Sequence, residues 1–142
     1  MTPASELWEE VWGVVERGRL HELDLLFDAN AEFGTPVASG RGVEYIRQVF
    51  CRHRHMYPDL QHVARFVVES ADRQALAAEV MFTGTHSMPL RGPGGHEIPA
   101  TGRRLRWLAV DTVRAHNGLI TQWHAVFDRL GLLEQLQPSR GL

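Results

Sequence analysis

The sequence predicts an α+β fold, with helices first and then an antiparallel sheet on one face of which they pack. Two observations carry this. Apolar residues recur near every 3.6 positions up to Met56, and after Pro58 the period falls to 2. The period-2 segments are then separated by hairpin-type turns, Ala-Asp-Arg at 71–73 and His-Asn-Gly at 116–118. With 142 residues, 44% of them hydrophobic, the chain suits one domain, expected over 1–142, that buries most of its unfolded surface.

Each element has its own signal. Thr2 is placed to cap a first helix with Pro3 at its first position. Trp8, Val11, Trp12 and Val15 extend that helix over 3–17, and Gly18 stops it. LHELDLLF (20–27) reads as a second short helix, and AEFGTP (31–36) as a short strand closed by Pro36. Gly42 opens a third helix over 43–56, with Val43, Ile46, Val49 and Phe50 on its buried side, and Pro58 ends it. Strands are expected over 60–70, 75–87, 104–115 and 119–128, followed by a helix over 129–136 capped by Asp128. The connection 88–102 is rich in Pro and Gly. Its RGPGG (91–95) precedes no helix, so it reads as a flap rather than a phosphate loop.

Composition excludes several function classes. A net charge of −2 gives no electrostatic case for nucleic acid or an anionic membrane. CRHRH (51–55) reads as a solvated helix face with one or two residues turned inward. No apolar run approaches the roughly 18 residues of a membrane span. The acidic start lacks the pattern of a secretory signal, so a cytoplasmic location is expected. The single Cys51 rules out an internal disulfide and a multi-cysteine zinc motif, and reads as a small apolar helix residue. Among the eight histidines, His53 and His55 diverge on a helix and no H-E-x-x-H occurs, so no metal is expected. No P-loop, dinucleotide fingerprint or nucleophile elbow is present, and no cofactor is expected.

Four stretches carry a family resemblance: YPDLQ (57–61), FTGTHSMPL (82–90), IPATGRRLRWLAVDTVR (98–114) and NGLITQWHAVFDRLGLLEQL (117–136). In this order, over about residues 20–137, they resemble the SnoaL-like polyketide cyclases, or ester cyclases, of the nuclear transport factor 2-like superfamily. The resemblance implies a cone-shaped, curved antiparallel sheet wrapped around the N-terminal helices, with a pocket between them open at one end. It also implies small-molecule chemistry without metal or organic cofactor. Cyclases of the family close a ring by aldol addition using a carboxylate, and relatives open epoxides, form pyran rings, isomerise, hydroxylate or only bind. The fold alone selects none of these. In the best-known cyclases the catalytic aspartate would fall at Ala125 and a histidine partner at Asp111. Thr35 stands where many members carry a second acid.

Strand alternation sorts the candidate residues independently. Leu105, Trp107, Ala109, Asp111 and Val113 share one face of their strand, so Asp111 sits among apolar neighbours. A carboxylate there is desolvated, its pKa rises, and it can hold and return a proton near neutral pH. These neighbours offer it little side-chain hydrogen bonding. Asp111 is therefore the expected acid–base residue, with His86 at a strand end as its candidate partner and Tyr57 or His53 as alternatives. On the next strand Thr121, Trp123, Ala125 and Phe127 face one way, and His124 faces the other. Trp107 and Trp123 are expected to wall a substrate site, with Phe33, Thr35, Phe50, Tyr57 and Ala125 completing its lining.

The expected function is cofactor-independent cyclisation or isomerisation of a polyketide-like small molecule. Epoxide hydrolysis, pyran formation or hydroxylase-like chemistry, and ligand binding without reaction, are the alternatives. An apolar pocket with Asp111 at its floor favours an enzyme, whereas an arginine locked onto Asp111 favours a binding module. A homodimer is expected through the outer sheet face, where Leu108, Val110, Ile120 and Val126 need cover.

Overall fold

The computed structural model describes residues 1–137, and 138–142, the end of the domain expected over 1–142, lie outside the described residues. Helix α1 (Ala4–Arg17) is followed by a 3₁₀ turn (Leu20–Leu25), strands β1 (Phe27–Gly34) and β2 (Ser39–Arg41), and helix α2 (Val43–Met56). Strands β3 (Gln61–Glu69) and β4 (Ala75–Thr85) come next, then the two-residue strands β5 (Leu90–Arg91) and β6 (Glu97–Ile98). Strands β7 (Arg104–His116) and β8 (Leu119–Phe127) and helix α3 (Arg129–Leu136) complete the described residues. Six strands form one sheet in the order β2-β1-β8-β7-β4-β3. All its pairings are antiparallel except β1 with β8, which run parallel.

Helix α1 starts differently from the expectation. Pro3 rather than Thr2 holds the N-cap position, and no side chain of the segment caps it. The first amides are satisfied from the β3–β4 hairpin instead, Ala4 N–H by the Arg73 carbonyl (2.9 Å) and Ser5 N–H by Glu69 Oε2 (2.8 Å). Gly18 ends α1 in the left-handed region at φ 74°. Arg54, from the CRHRH stretch, reaches the carbonyls of Val15 (3.3 Å) and Glu16 (3.0 Å), so α2 satisfies the end of α1.

Of the helix expected over 20–27, residues 20–25 form a 3₁₀ turn, and Leu23 alone among these is buried, too little apolar surface to hold α-helical turns. The short strand expected at 31–36 begins earlier, at Phe27, whose buried ring pairs with Ile120 across to β8. The β7–β8 turn is the expected Asn-Gly hairpin, with Asn117 at φ 52° and Gly118 at φ 78° closing the pair His116↔Leu119. Asp128 caps α3, its Oδ1 accepting from Gly131 N–H at 2.9 Å.

One register shift changes which residues face inward. Arg114 pairs with Gln122 but Ala115 pairs with Ile120, so Thr121 is an extra residue on β8. Ile120 and Trp123 therefore both turn into the core and are almost wholly buried. The assignment of Ile120 to the outer face, and of Thr121 to the face of Trp123, is corrected by this bulge. Leu108, Val110 and Val126 remain outside.

The core lies between the concave sheet face and the two long helices. Helix α1 supplies Leu7, Trp8, Val11, Trp12, Val14 and Val15, and α2 supplies Ile46 and Phe50. Burying each such large side chain contributes about 1.5–3 kcal/mol. Among the described residues no helix is long and apolar enough to cross a membrane.

Candidate active site

The helices do not fill the concave face completely. A cavity of about 180 Å³ remains between β7, β8 and α2, with Leu90 of β5 and Leu132 of α3 also on its lining. Its walls are largely aromatic. Trp12 packs 4.6 Å from Phe82 and 5.8 Å from Trp123 between ring centroids, and Tyr57 packs 4.6 Å from Trp107. The strand period explains the sheet side, since Trp107, Ala109 and Asp111 alternate with the outward residues Arg106, Leu108 and Val110.

Asp111 is buried and lines this cavity. Its Oδ2 accepts the indole N–H of Trp8 (2.8 Å) and of Trp12 (3.0 Å), one helical turn apart on α1. The strand neighbours of Asp111 supply no side-chain hydrogen bond to it, and its donors come from a helix instead. Its Oδ1 is buried without a partner. Burial pushes the carboxyl up to about 6, opposed by the two indole bonds and by the field of His62. The arrangement divides the carboxylate into a held oxygen and a free one.

His62 stands behind the indoles. Its Nδ1 and backbone N–H (2.8 Å) both meet Glu16 Oε1, and its Nε2 lies 3.1 Å from Glu9 Oε1. Its ring centroid is 5.9 Å from that of Trp8 and 6.1 Å from that of Trp12. The strand β3 is thereby tied to the helix that carries the donors of Asp111.

His53 is a second polar group on the cavity wall. Its Nε2 is buried without a partner, and burial brings its pKa down to about 4, so the imidazole is neutral at pH 7. The Tyr57 hydroxyl also belongs to this cavity, with its pKa raised to about 12 by burial. Asp111 thus shares an apolar chamber with a neutral imidazole and a neutral phenol.

The structure brings Asp111, Trp107, Trp123, Phe33, Thr35, Phe50, Tyr57 and Ala125 together on this one cavity. It does not bring His86 there. His86 is buried and turned inward as alternation predicts, but its Nδ1 accepts from Thr101 N–H at 3.2 Å and meets Thr101 Oγ1 at 2.9 Å. It fastens the segment leading into β7 to the residue that follows β4 instead. Sequence reasoning gave His53 second place and missed Trp8 and Trp12 as donors. His53 was findable, because Ile46, Phe50 and His53 follow the i, i+4, i+7 stripe of α2. Among the described residues no three metal-ligating side chains gather, and no arginine bonds Asp111.

A model of the SnoaL-like polyketide cyclases matches residues 3–136. The chain belongs to that family. Among solved structures, TsrD from Streptomyces laurentii shares 28% identity with a TM-score of 0.77, covering 93% of this chain and 92% of its own. A SnoaL-like polyketide cyclase from Agrobacterium tumefaciens shares 21% identity with a TM-score of 0.77, covering 96% of this chain and 100% of its own. IdmH from Streptomyces antibioticus shares 22% identity with a TM-score of 0.77, covering 93% and 96%. The latter two attest the fold. No curated protein matches the chain.

The stretches that carry the family resemblance bond to one another. Asp59 of YPDLQ accepts Thr85 N–H (2.7 Å) and its hydroxyl (2.6 Å), which holds its carboxyl below the usual range. Gly84 leaves room for Tyr57, since a Cβ there would stand 2.7 Å from that of Tyr57. Arg103 of the ATGRR stretch donates to the carbonyls of Gln135 and Gln137, both at 2.9 Å, and fixes α3 over the cavity.

Proposed function

We propose that this SnoaL-like chain is a cofactor-independent cyclase or isomerase in which Asp111 moves a proton within the apolar cavity. The observation that carries the reading is the free Oδ1 of a carboxylate whose other oxygen is held by two indoles. A base poised near 6 is mostly ionised at pH 7 yet still able to return its proton. Oδ1 takes a proton from carbon next to a substrate carbonyl. The carbonyl oxygen, gaining charge, accepts from His53 in its Nε2–H tautomer. In isomerisation Asp111 returns the proton at another position. In cyclisation the enolate carbon bonds to a second carbonyl carbon, and the resulting alkoxide takes the proton from Asp111. The carboxyl carries the proton both ways, so the step needs no cofactor.

The family pattern supports this placement. The family's aspartate position corresponds to Ala125, and Asp111 lies directly opposite Ala125 in the β7–β8 ladder. Such opposed residues hold their Cβ atoms about 5 Å apart. The acid has crossed one rung and stays on the same chamber. The missing acid at Thr35, whose hydroxyl instead binds the 35–38 turn, speaks against epoxide-opening and pyran-forming schemes that need two acids.

Exchange of the methyl hydrogens of acetophenone with deuterium from solvent, followed by proton NMR, tests the base without the natural substrate. Asp111→Asn should slow enzyme-dependent exchange by about 10²–10⁴ while binding is kept. Equal enzyme-dependent exchange by the variant would overturn the role of Asp111, and a wild type that exchanges no faster than buffer would return the chain to the class of binding modules.

A further inference from the structure

Resting on that reading of Asp111, we propose that the substrate places an uncharged carbonyl unit of about one ring in the cavity, not a fused polycycle and not an anion. Size is the first ground. A cavity of about 150 Å³ holds one benzene, and this one offers about 180 Å³.

The walls are also fixed. Trp12 is pinned through its indole N–H to Asp111, Tyr57 sits in the space Gly84 leaves, and Phe82 stacks on Trp107 at 5.6 Å. Widening the chamber for a second or third fused ring would break one of these contacts. A linear substituent has another course, past the partly exposed Thr35, Leu90 and Phe127 of the lining.

Charge is the second ground. Among the described residues no arginine lines the cavity, and its one ionising group at neutral pH is the Asp111 carboxylate. A carboxylate or phosphate ligand would lose its water, meet a like charge and find no cation, a large penalty in an apolar chamber. The unpartnered Oδ1 and Nε2 instead suit a ketone or aldehyde with an acidic neighbouring C–H.

Isothermal titration calorimetry at pH 8 with acetophenone, 1-acetonaphthone, 9-acetylanthracene and benzoate tests this. Acetophenone should bind, and each added ring should weaken binding by about tenfold or more, the cost of overpacking. Benzoate should bind at least about a hundredfold more weakly than acetophenone. The cavity-filling variants Ala125→Phe and Ala109→Leu, checked by circular dichroism, should each abolish acetophenone binding. The proposal is overturned if 9-acetylanthracene or benzoate binds as well as acetophenone, or if a folded filling variant keeps its affinity. Binding of acetophenone without Asp111-dependent exchange would sink the base and leave the substrate class standing. Asp111-dependent exchange of the anthracene ketone alone would do the reverse.

Discussion

Asp111 and His53 pull the stability of the protein in opposite directions with pH. Folding raises the Asp111 pKa from 3.8 to about 6, so between those values the folded state binds more protons and loses stability as pH rises. Folding lowers the His53 pKa from 6.5 to about 4, so across that range the unfolded state binds more protons and stability grows with pH. Each shift corresponds to a few kcal/mol at full extent (about 1.4 kcal/mol per unit), and in the wild type the two oppose each other between pH 4 and 6. Asp111→Asn should expose the His53 contribution, giving urea midpoints that climb steeply from pH 4 to 6.5. His53→Gln should give midpoints that fall from pH 4 to 6. Curves parallel to wild type in both variants would show that neither group is perturbed by burial. The acid was legible in sequence because β7 keeps its alternation without a bulge around position 111. Its indole partners were not, because they lie 103 and 99 residues away and a helical period marks a tryptophan only as apolar.

At the scale of elements, helix α2 and strand β4 depend on each other through one missing side chain. Gly84 sits in β4 where a Cβ would press on Tyr57 at its Cβ and ring, 2.7 to 3.2 Å away. Gly84→Ala should therefore displace Tyr57 from Trp107 and destabilise the fold by about 1–3 kcal/mol through overpacking. The ketone affinity should drop with it, read by calorimetry beside thermal unfolding. An unchanged melting temperature and affinity would mean that Tyr57 moves without consequence. The long strands and helices themselves were legible almost to their ends, since their periods and stop signals are local. The short strands β2, β5 and β6 and the first half of β1 carried no such signal, and three further features were not legible either. The 3₁₀ character of 20–25, the bulge at Thr121 and the parallel β1–β8 pairing are decided by what each segment packs against, which no local pattern encodes. The same holds for His86, where alternation predicts an inward side chain but not that Thr101 would occupy it.

For the whole molecule, the outer sheet face remains to be accounted for. Phe66 and Val126 are both 64% exposed, and Val63 is 65% exposed. Pairing sets Phe66, Glu79, Val110 and Val126 in one row across four strands, and Val63, Met81 and Leu108 in the next. The charge within the first row is already matched, Arg65 lying 3.9 Å from Glu79. An apolar stretch whose one charged member is already matched suits a second copy of itself related by a two-fold axis. We therefore expect a homodimer through this face, with Phe66 and Val126 at its centre and Ile120, first assigned to it, playing no part. Light scattering at micromolar concentration should give twice the chain mass of 16.1 kDa. Val126→Arg should halve that mass. Because Val110 and Val126 alternate with Asp111 and Ala125 on the same two strands, the variant should keep acetophenone binding if the chamber is built within one chain. A wild-type monomer at these concentrations would leave the apolar face without this partner, and loss of binding in the Val126→Arg monomer would show that the chamber needs the second copy.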